Sequence, residues 1–232
     1  DDSATSDSLA EDVIPLAEAR LEALRAKWKN RADAKVAVFG DASASMQCAI
    51  EAATIFASMV SECFDGELSF FNHDLVSSPH TKPSTVRETL EVCDTIRADG
   101  TTSLAAALWP YYEAKKSMDM IVLVTDEEEN EKYQGHLFAE LLAKYKEEVN
   151  QKVTLIVVCV GNGNNKFRQD LTDANIEYRV VYIDGSRPDL VKFDALLGQI
   201  AILSSRCTRG GDNIAGHKRG EGSKGDNDWT MV

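Results

Sequence analysis

Residues 35–45, with the sequence KVAVFGDASAS, decide the fold that we predict for this chain. After the leading lysine, the run VAVFG is apolar at every position and so has no polar face. Such a run is typical of a strand covered on both sides, as in a parallel sheet. Asp41, Ser43 and Ser45 follow directly. The stretch therefore predicts a buried strand whose carboxyl end carries oxygen-bearing side chains.

The rest of the chain alternates similar apolar runs with longer amphipathic segments. Further strands are predicted over 66–72, 74–78, 118–125, 153–160 and 178–183, and helices over 13–30, 46–63, 84–96, 103–116, 130–149, 165–174 and 189–205. Strands that are apolar on both faces and alternate with helices indicate a parallel sheet between two helical layers. A tight turn makes the third strand antiparallel. We predict an α/β fold, doubly wound and Rossmann-like: a mostly parallel six-stranded sheet with one short antiparallel edge strand and helices on both faces.

The two ends of the chain differ in composition from the middle. The first twelve residues carry five acids and no base, and the final segment is rich in Gly, Asp, Asn, Lys and Arg. Both compositions are typical of disorder. We expect a disordered acidic N-terminus over 1–12, a helix and linker over 13–34, one domain over 35–206 and a disordered Gly-rich tail over 207–232. The first residue is Asp1 rather than Met, which leaves room for a longer parent protein.

The charge balance excludes two classes of partner. The 232 residues include 25 Lys and Arg against 38 Asp and Glu, a formal net charge of −13. Binding to nucleic acid or to anionic membranes requires a basic surface, so we expect neither as a partner. No apolar run approaches the roughly 20 residues that a membrane-spanning helix needs.

The cysteines and histidines do not form a metal-binding pattern. The five cysteines include no Cys-x-x-Cys pair, and the four histidines do not cluster along the sequence. We therefore expect no zinc site. An odd number of cysteines, most of them among apolar or helical neighbours, is typical of reduced thiols in a protein core. This favours an intracellular, cytoplasmic location.

Several oxygen-bearing side chains follow predicted strands or open a predicted helix. They are Asp41, Ser43, Ser45, Thr101 and Asp126. In open parallel sheets, ligands bind beyond the carboxyl ends of the strands, where the strand order reverses. Two carboxylates and three hydroxyls without His or Cys suit a hard cation, Mg²⁺ first and Mn²⁺ or Ca²⁺ next. Thr102 could replace Thr101, but the preceding Gly100 favours Thr101 because glycine permits a close approach.

These residues resemble the metal-ion-dependent adhesion site (MIDAS) of von Willebrand factor type A (vWA) domains. The run Asp41 to Ser45 matches the family motif Asp-x-Ser-x-Ser, Thr101 matches its threonine, and Asp126 matches its later aspartate. The resemblance implies that the first aspartate and the serines hold the ion directly or through water. It implies that the last aspartate acts through water. The motifs are loosely similar to those of an intracellular member, the vWA domain of the Ro ribonucleoprotein autoantigen.

The resemblance implies a binding module rather than an enzyme. A protein ligand would supply an Asp or Glu to Mg²⁺ at the site, and the domain would act as a monomer. Two alternatives remain open on the same residues. One is a metal-dependent hydrolase or phosphotransferase, although Ser43 stands where an Asp-x-Asp enzyme has its second acid. The other is a structural vWA domain of a larger intracellular complex, with the site unused.

Three local alternatives accompany the site. Asp41 and the serines could simply cap the following helix. The acidic run of Glu127, Glu128, Glu129 and Glu131 is expected to form a solvated first helical turn, favoured by the helix dipole. Alternatively, those charges tune the metal site and favour a partner with basic residues beside its carboxylate. The segment 161–163 (Gly-Asn-Gly) lacks a following phosphate-binding motif, so we expect a plain turn there.

Overall fold

The computed structural model describes residues 2–28, 34–184, 197–198 and 201–202. Within them, six strands form one sheet: β1 (Val36–Asp41), β2 (Glu67–Phe71), β3 (Leu75–Val76), β4 (Met120–Thr125), β5 (Thr154–Val160) and β6 (Tyr178–Ile183). The strand order is β3-β2-β1-β4-β5-β6. β3 pairs antiparallel with β2, and every other pairing is parallel. The predicted fold class is confirmed.

Helices cover both faces of this sheet. They are α1 (Asp2–Trp28), α2 (Ile50–Phe64), α3 (Val86–Thr95), α4 (Leu104–Glu113), α5 (Phe138–Glu148) and α6 (Asn165–Asp173), with a short 3₁₀ helix (Ala44–Cys48) before α2. Val36 and Val38 of β1 pack with α1, α2 and α3 in one core, whereas Ala37 and Phe39 pack with α4, α5 and α6 in the other. Successive strand residues face opposite sides. This explains why the run has no polar position.

The strand order reverses beside β1. The chain passes from β1 to β2 on one side and later returns to β4 on the other. Asp41 at the end of β1 pairs with Phe71 of β2, and Gly40 pairs with Val124 of β4. The three strands therefore end at the same edge of the sheet. A crevice at such a reversal is the usual ligand position in open α/β sheets.

The first helix is longer than predicted. It begins at Asp2, whereas the sequence predicted a disordered segment over 1–12 and a helix over 13–30. The acidic composition of 1–12 suggested disorder, but its Ala, Leu and Glu residues also favour a helix. Acids near a helix N-terminus are stabilised by the helix dipole. Residues 2–12 are therefore helical in the structure.

The C-terminal expectations fall largely outside the described residues. The predicted last helix over 189–205 is described only at 197–198 and 201–202, which are helical. Leu197 and Ala201 are buried and belong to the core that contains α2. The predicted tail over 207–232 lies outside the described residues.

The helix α1 packs against α2 and α3. Leu21 and Leu24 of α1 are buried. Arg25 Nη2 lies 2.7 Å from Glu62 Oε1 on α2. The Val86 N–H at the start of α3 donates to Glu18 Oε1 at 2.7 Å. These contacts join α1 to the helical layer behind β1. Within the described ranges, no helix has both the length and the apolar character required to cross a membrane.

Candidate metal centre

The turn after β1 brings three predicted ligands together. Asp41 and Ser43 are fully buried, whereas Ser45 is exposed. The Ser43 N–H donates to Asp41 Oδ1 at 2.9 Å. The hydroxyl oxygens of Ser43 and Ser45 lie 3.1 Å apart. Ser43 precedes the 3₁₀ helix, but within the described residues its side chain forms no capping bond to that helix. The capping hypothesis therefore does not account for these serines.

Among the residues that the structure describes, the Asp41 carboxylate accepts hydrogen bonds only from uncharged groups. Its Oδ2 accepts a hydrogen bond of 2.5 Å from Thr125 Oγ1, and its Oδ1 accepts the one from Ser43. Both donors are neutral. Burial raises the pKa of Asp41 to about 7, while the hydrogen bonds from Ser43 and Thr125 lower it and the nearby charge of Asp126 adds to the rise. A buried carboxylate of this kind requires a proton or a bound cation.

The loop that carries Thr101 lies against the same turn. The Ala44 N–H donates to the Gly100 carbonyl at 3.0 Å, and the Asp99 N–H donates to the Ala42 carbonyl at 2.9 Å. Gly100 has a φ of 75°, and a side chain there would collide with His73. The positive φ and the nearby His73 side chain therefore both favour glycine at this position.

Thr101 and Thr102 differ in their surroundings. Thr101 is exposed at the rim of the turn, whereas Thr102 is buried. The Thr102 N–H donates to Asn130 Oδ1 at 2.8 Å, and the Asn130 N–H donates to the Thr102 carbonyl at 3.1 Å. Thr102 therefore connects two loops, and Thr101 keeps its place as the predicted ligand.

Asp126 follows the last residue of β4 and is half-buried. Its Oδ1 accepts a hydrogen bond of 3.0 Å from the Glu128 N–H. The charge of Asp126 contributes to the raised pKa of Asp41. Within the described part of the chain, no hydrogen bond joins Asp126 or Thr101 directly to the turn of Asp41.

The donor set fits a hard cation. Among the residues that the structure describes, no three His, Cys, Asp or Glu side chains group closely enough to hold a metal by themselves. The predicted set has only two carboxylates, and its other oxygens are hydroxyls. A buried carboxylate with two neighbouring hydroxyls offers oxygen ligands of the kind that Mg²⁺ and Ca²⁺ prefer. The metal assignment of all five residues stays a prediction.

The acidic run after β4 is not a helical turn. α5 begins at Phe138, eight residues later than predicted, and Glu127 is fully buried. Glu127 Oε2 accepts from Arg168 Nε at 2.7 Å, and Glu127 Oε1 accepts from Arg168 Nη2 at 2.9 Å. The expectation of a solvated first turn was wrong here. Arg168 lies 41 positions away along the chain, so no local pattern could indicate this pair.

Glu129 and Asn130 contact other segments. Glu129 accepts hydrogen bonds from the Phe138 N–H at 2.9 and 3.1 Å, and one from the backbone of Ala105. It therefore caps the first turns of both α5 and α4. Burial raises the pKa of Glu129 to about 7. Asn130 bonds to Thr102, as described above. Successive residues of this loop are thus held by different parts of the fold.

The remaining acids form a negative rim. Exposed carboxylates on the loops around the turn are those of Asp74, Asp99, Glu128 and Glu131. The β2–β3 turn belongs to this rim, because the Ser103 N–H donates to the Asn72 carbonyl at 2.8 Å. The rim repels free anions and attracts cations.

Comparison with known proteins shows the family. A family model described as the Ro60 vWA domain matches residues 31–192. No curated protein matches the chain significantly. One similar solved structure contains the fold, and two others are named for their likeness alone. Proximal thread matrix protein 1 of the mussel byssus, with a zinc-occupied MIDAS motif, has 17% identity and a TM-score of 0.52, over 75% of this chain and 48% of that one.

The other two structures are similar at the same level. A von Willebrand factor type A protein from Catenulispora acidiphila has 14% identity and a TM-score of 0.49, over 75% of this chain and 43% of that one. The Ro (RSR) protein of Deinococcus radiodurans has 15% identity and a TM-score of 0.48, over 75% and 34%. The chain thus spans less than half the length of these three proteins. Because the family model matches more than two thirds of the 232 residues, the protein belongs to the Ro60-type vWA domain family.

Proposed function

We propose that this domain is a metal-dependent protein-interaction module that acts as a monomer. Its MIDAS would consist of Asp41, Ser43, Ser45, Thr101 and Asp126, and would hold Mg²⁺, with Mn²⁺ or Ca²⁺ as substitutes. The observation that best supports this proposal is the buried Asp41 carboxylate. Its hydrogen-bond donors are neutral, and the hydroxyls of Ser43 and Ser45 lie 3.1 Å apart on the same turn. vWA domains often mediate metal-dependent protein interactions, and one structural neighbour has a zinc-occupied MIDAS motif.

The ligand in this proposal is a carboxylate of a partner protein. When bound, the metal would act as a Lewis acid with a coordination position left for an outside oxygen. Asp41, Ser43 and Ser45 would hold the ion from the turn after β1, and Asp126 would act through water. Thr101, exposed at the rim, would face the position of the incoming ligand.

The negative rim supports one kind of partner. A lone acidic peptide would meet repulsion from Asp74, Asp99, Glu128 and Glu131. Basic residues on either side of the metal-binding Asp or Glu would convert that repulsion into attraction. We therefore infer that the partner presents one carboxylate between basic residues. Nucleic acid and membranes lack this combination.

We infer that the domain is not an enzyme and acts inside the cell. Ser43 Oγ lies 3.1 Å from Ser45 Oγ, the Asp41 carboxylate beside it is assigned to the metal, and Glu127 is engaged by Arg168. Nucleophilic catalysis requires a base beside the nucleophile. Within the described residues, Cys48, Cys63, Cys93 and Cys159 are free, which supports a reducing compartment.

Isothermal titration tests the metal site. We expect the wild-type chain to bind Mg²⁺ and Mn²⁺, and Asp41→Ala to lose that binding. Asp41 is buried, so Asp41→Ala could fail to fold. Ser45→Ala is the second variant, because it removes only an exposed hydroxyl and should keep the fold. It should also weaken metal binding. Asp94→Ala, an exposed aspartate on α3, is the matched control and should bind normally. No metal binding by the wild-type chain, or unchanged binding by Ser45→Ala and Asp41→Ala, contradicts the proposal.

Synthetic peptides test the partner class. A peptide with a central Glu between lysines should bind in Mg²⁺ and not in EDTA. The matched peptide with Gln at the centre should not bind, and one with acidic flanks should bind more weakly. Binding of the Glu and Gln peptides with equal affinity contradicts recognition through the metal. Hydrolysis of a phosphate ester, abolished in Asp41→Asn, would favour the enzyme alternative.

A further inference from the structure

A buried ion pair joins the loop after β4 to the helix α6. Arg168 on α6 donates to both carboxylate oxygens of Glu127, at 2.7 and 2.9 Å. The Glu127 side chain has no exposed surface, and that of Arg168 is 23% exposed. The Asn164 N–H donates a third hydrogen bond to Glu127 Oε2 at 2.8 Å. A bidentate pair with an added backbone donor fixes its carboxylate strongly.

The segment before α6 is shaped around this pair. Gly163 has a φ of 70°, and a Cβ there would collide with Arg168 Nη2 and Glu127 Oε2. Gly161 has a φ of 93°, but a Cβ there would meet open space. The chain bends at 161–162, where a plain turn was predicted, and Gly163 is favoured both by the pair and by its positive φ.

The backbone of Glu127 is held from the opposite direction. Its φ is 68°, a left-handed conformation that costs a non-glycine residue free energy. Its N–H donates to Thr125 Oγ1 at 3.0 Å, and Thr125 Oγ1 donates to Asp41 Oδ2. Asp126 thus lies between two fully buried residues whose positions are fixed.

We propose that Glu127 and Arg168 are positioning residues for the metal site, acting through Asp126. The inference rests on the proposed MIDAS function. Turning the Asp126 carboxylate away from the site requires the backbone on either side to rotate. The Glu127–Arg168 pair opposes that rotation, because Glu127 cannot leave its conformation without separating from Arg168 and Asn164.

Metal affinity in a double-mutant cycle tests this role. In the full chain, Arg168→Met and Glu127→Gln should each weaken Mg²⁺ binding by about tenfold or more, as outer-shell partners do. Lys166→Met is the matched control, since it breaks the exposed Lys166–Asp170 pair on the same helix and should leave affinity unchanged. In an Asp126→Ala background, Arg168→Met should cause less than about a twofold further loss. A full tenfold further loss in that background overturns the proposal.

A readout without metal separates this inference from the proposed function. The Glu128 N–H donates to Asp126 Oδ1, so its amide NMR shift reports the carboxylate position. In the metal-free protein, Arg168→Met should shift this amide, and Lys166→Met should not. An unchanged Glu128 amide overturns the positioning role, even where the wild-type chain binds metal. If the wild-type chain binds no metal but Arg168→Met still shifts the Glu128 amide, the MIDAS proposal is contradicted and the coupling between Arg168 and Asp126 is supported.

Arg168→Lys is a second variant for the case that Arg168→Met does not fold. It keeps the charge but cannot form the bidentate pair. It should fold, with an unfolding midpoint close to the wild type, yet show reduced Mg²⁺ affinity and the same direction of shift at the Glu128 amide. Wild-type affinity in Arg168→Lys together with an unchanged amide contradicts a positioning role.

Discussion

Thr125 Oγ1 lies 2.5 Å from Asp41 Oδ2 and joins the carboxyl ends of two neighbouring strands. The same oxygen accepts the Glu127 N–H at 3.0 Å, so one hydroxyl connects the predicted metal ligand to the loop after β4. The threonine has no exposed surface. This contact links the two halves of the candidate site.

Replacing Thr125 by Val should destabilise the metal-free protein. The change keeps the shape of the side chain but removes the donor to Asp41 and the acceptor for Glu127. Leaving buried polar groups without partners costs about 1–3 kcal/mol each. Urea unfolding measures the loss, and Thr125→Ser, which retains the hydroxyl, should be much closer to the wild type. Equal stability of the Val and Ser variants would contradict a role for this hydrogen bond.

Metal binding should depend on pH. Burial favours the neutral acid in the metal-free fold, so the contribution of Asp41 to stability is present below its ordinary pKa and is lost as the pH rises through about 7. The metal requires the carboxylate. We therefore expect Mg²⁺ affinity to fall about tenfold per pH unit below about pH 7, and to level off above it. Titration calorimetry at several pH values checks this, and a flat profile contradicts it.

Added metal should raise the unfolding temperature. A ligand that binds only the native state stabilises it by about 2.7 kcal/mol at a hundred times its dissociation constant. We expect Mg²⁺ to raise the melting temperature of the wild-type chain and EDTA to reverse the rise. The same additions should have no effect on Asp41→Ala. A shift of equal size in that variant would indicate binding elsewhere on the acidic surface.

The two glycines before α6 should respond differently to Ala. Both have positive φ values, so each substitution costs about 1–2 kcal/mol of backbone strain. At Gly163 the new methyl group also collides with the Glu127–Arg168 pair. We expect Gly163→Ala to lower the free energy of unfolding by about 1–3 kcal/mol more than Gly161→Ala does, because overpacking usually costs that amount. Chemical denaturation measures both, and equal losses would show that the pair can move aside.

Removing Arg25 should destabilise the protein more at high pH. Glu62 on α2 is buried, and burial raises its pKa to about 7, against the lowering effect of Arg25. The contribution of the neutral acid to stability is therefore lost as the pH rises through about 7, because the buried side chain then carries a charge, which Arg25 compensates. We expect Arg25→Met to cost about 1–3 kcal/mol at pH ~8, discounted for the partial exposure of Arg25, and less at pH ~6.

A nearby arginine provides the control for that experiment. Arg20 lies on the exposed side of α1, so Arg20→Met should change stability by less than about 0.5 kcal/mol at either pH. Unfolding in urea at the two pH values gives the comparison. An Arg25→Met loss that is the same at both pH values would contradict the assigned role of Glu62.

The sequence was sufficient to predict the sheet because its strands are local features. The run VAVFG in β1 packs against a hydrophobic core on each face of the sheet, so each of its positions is apolar. That pattern is visible in the sequence alone. The grouping of Asp41, Ser43 and Ser45 was predictable for the same reason, since one short turn carries all three. The prediction for Asp126 also used the rule that parallel strands end at a common edge, whereas Thr101 was predicted from its loop, which opens α4, and from the family motif.

The supporting contacts could not be predicted in the same way. Four acids in succession resemble a solvated helix start, and only the position of Arg168 shows that Glu127 is buried. The late start of α5 depends on Glu129, which caps this helix and α4 together. Both effects join segments far apart in the chain. Local composition contains no information about such pairs.

The loop after β4 has a further consequence for the speed of recognition. Glu127, Glu129 and Asn130 are each held by a different part of the fold, so the entropy of ordering this loop is lost during folding and not during binding. A preorganised site needs no slow rearrangement when its ligand arrives. Association with a basic partner would then be governed by diffusion and electrostatic steering, and its rate would fall as the ionic strength rises.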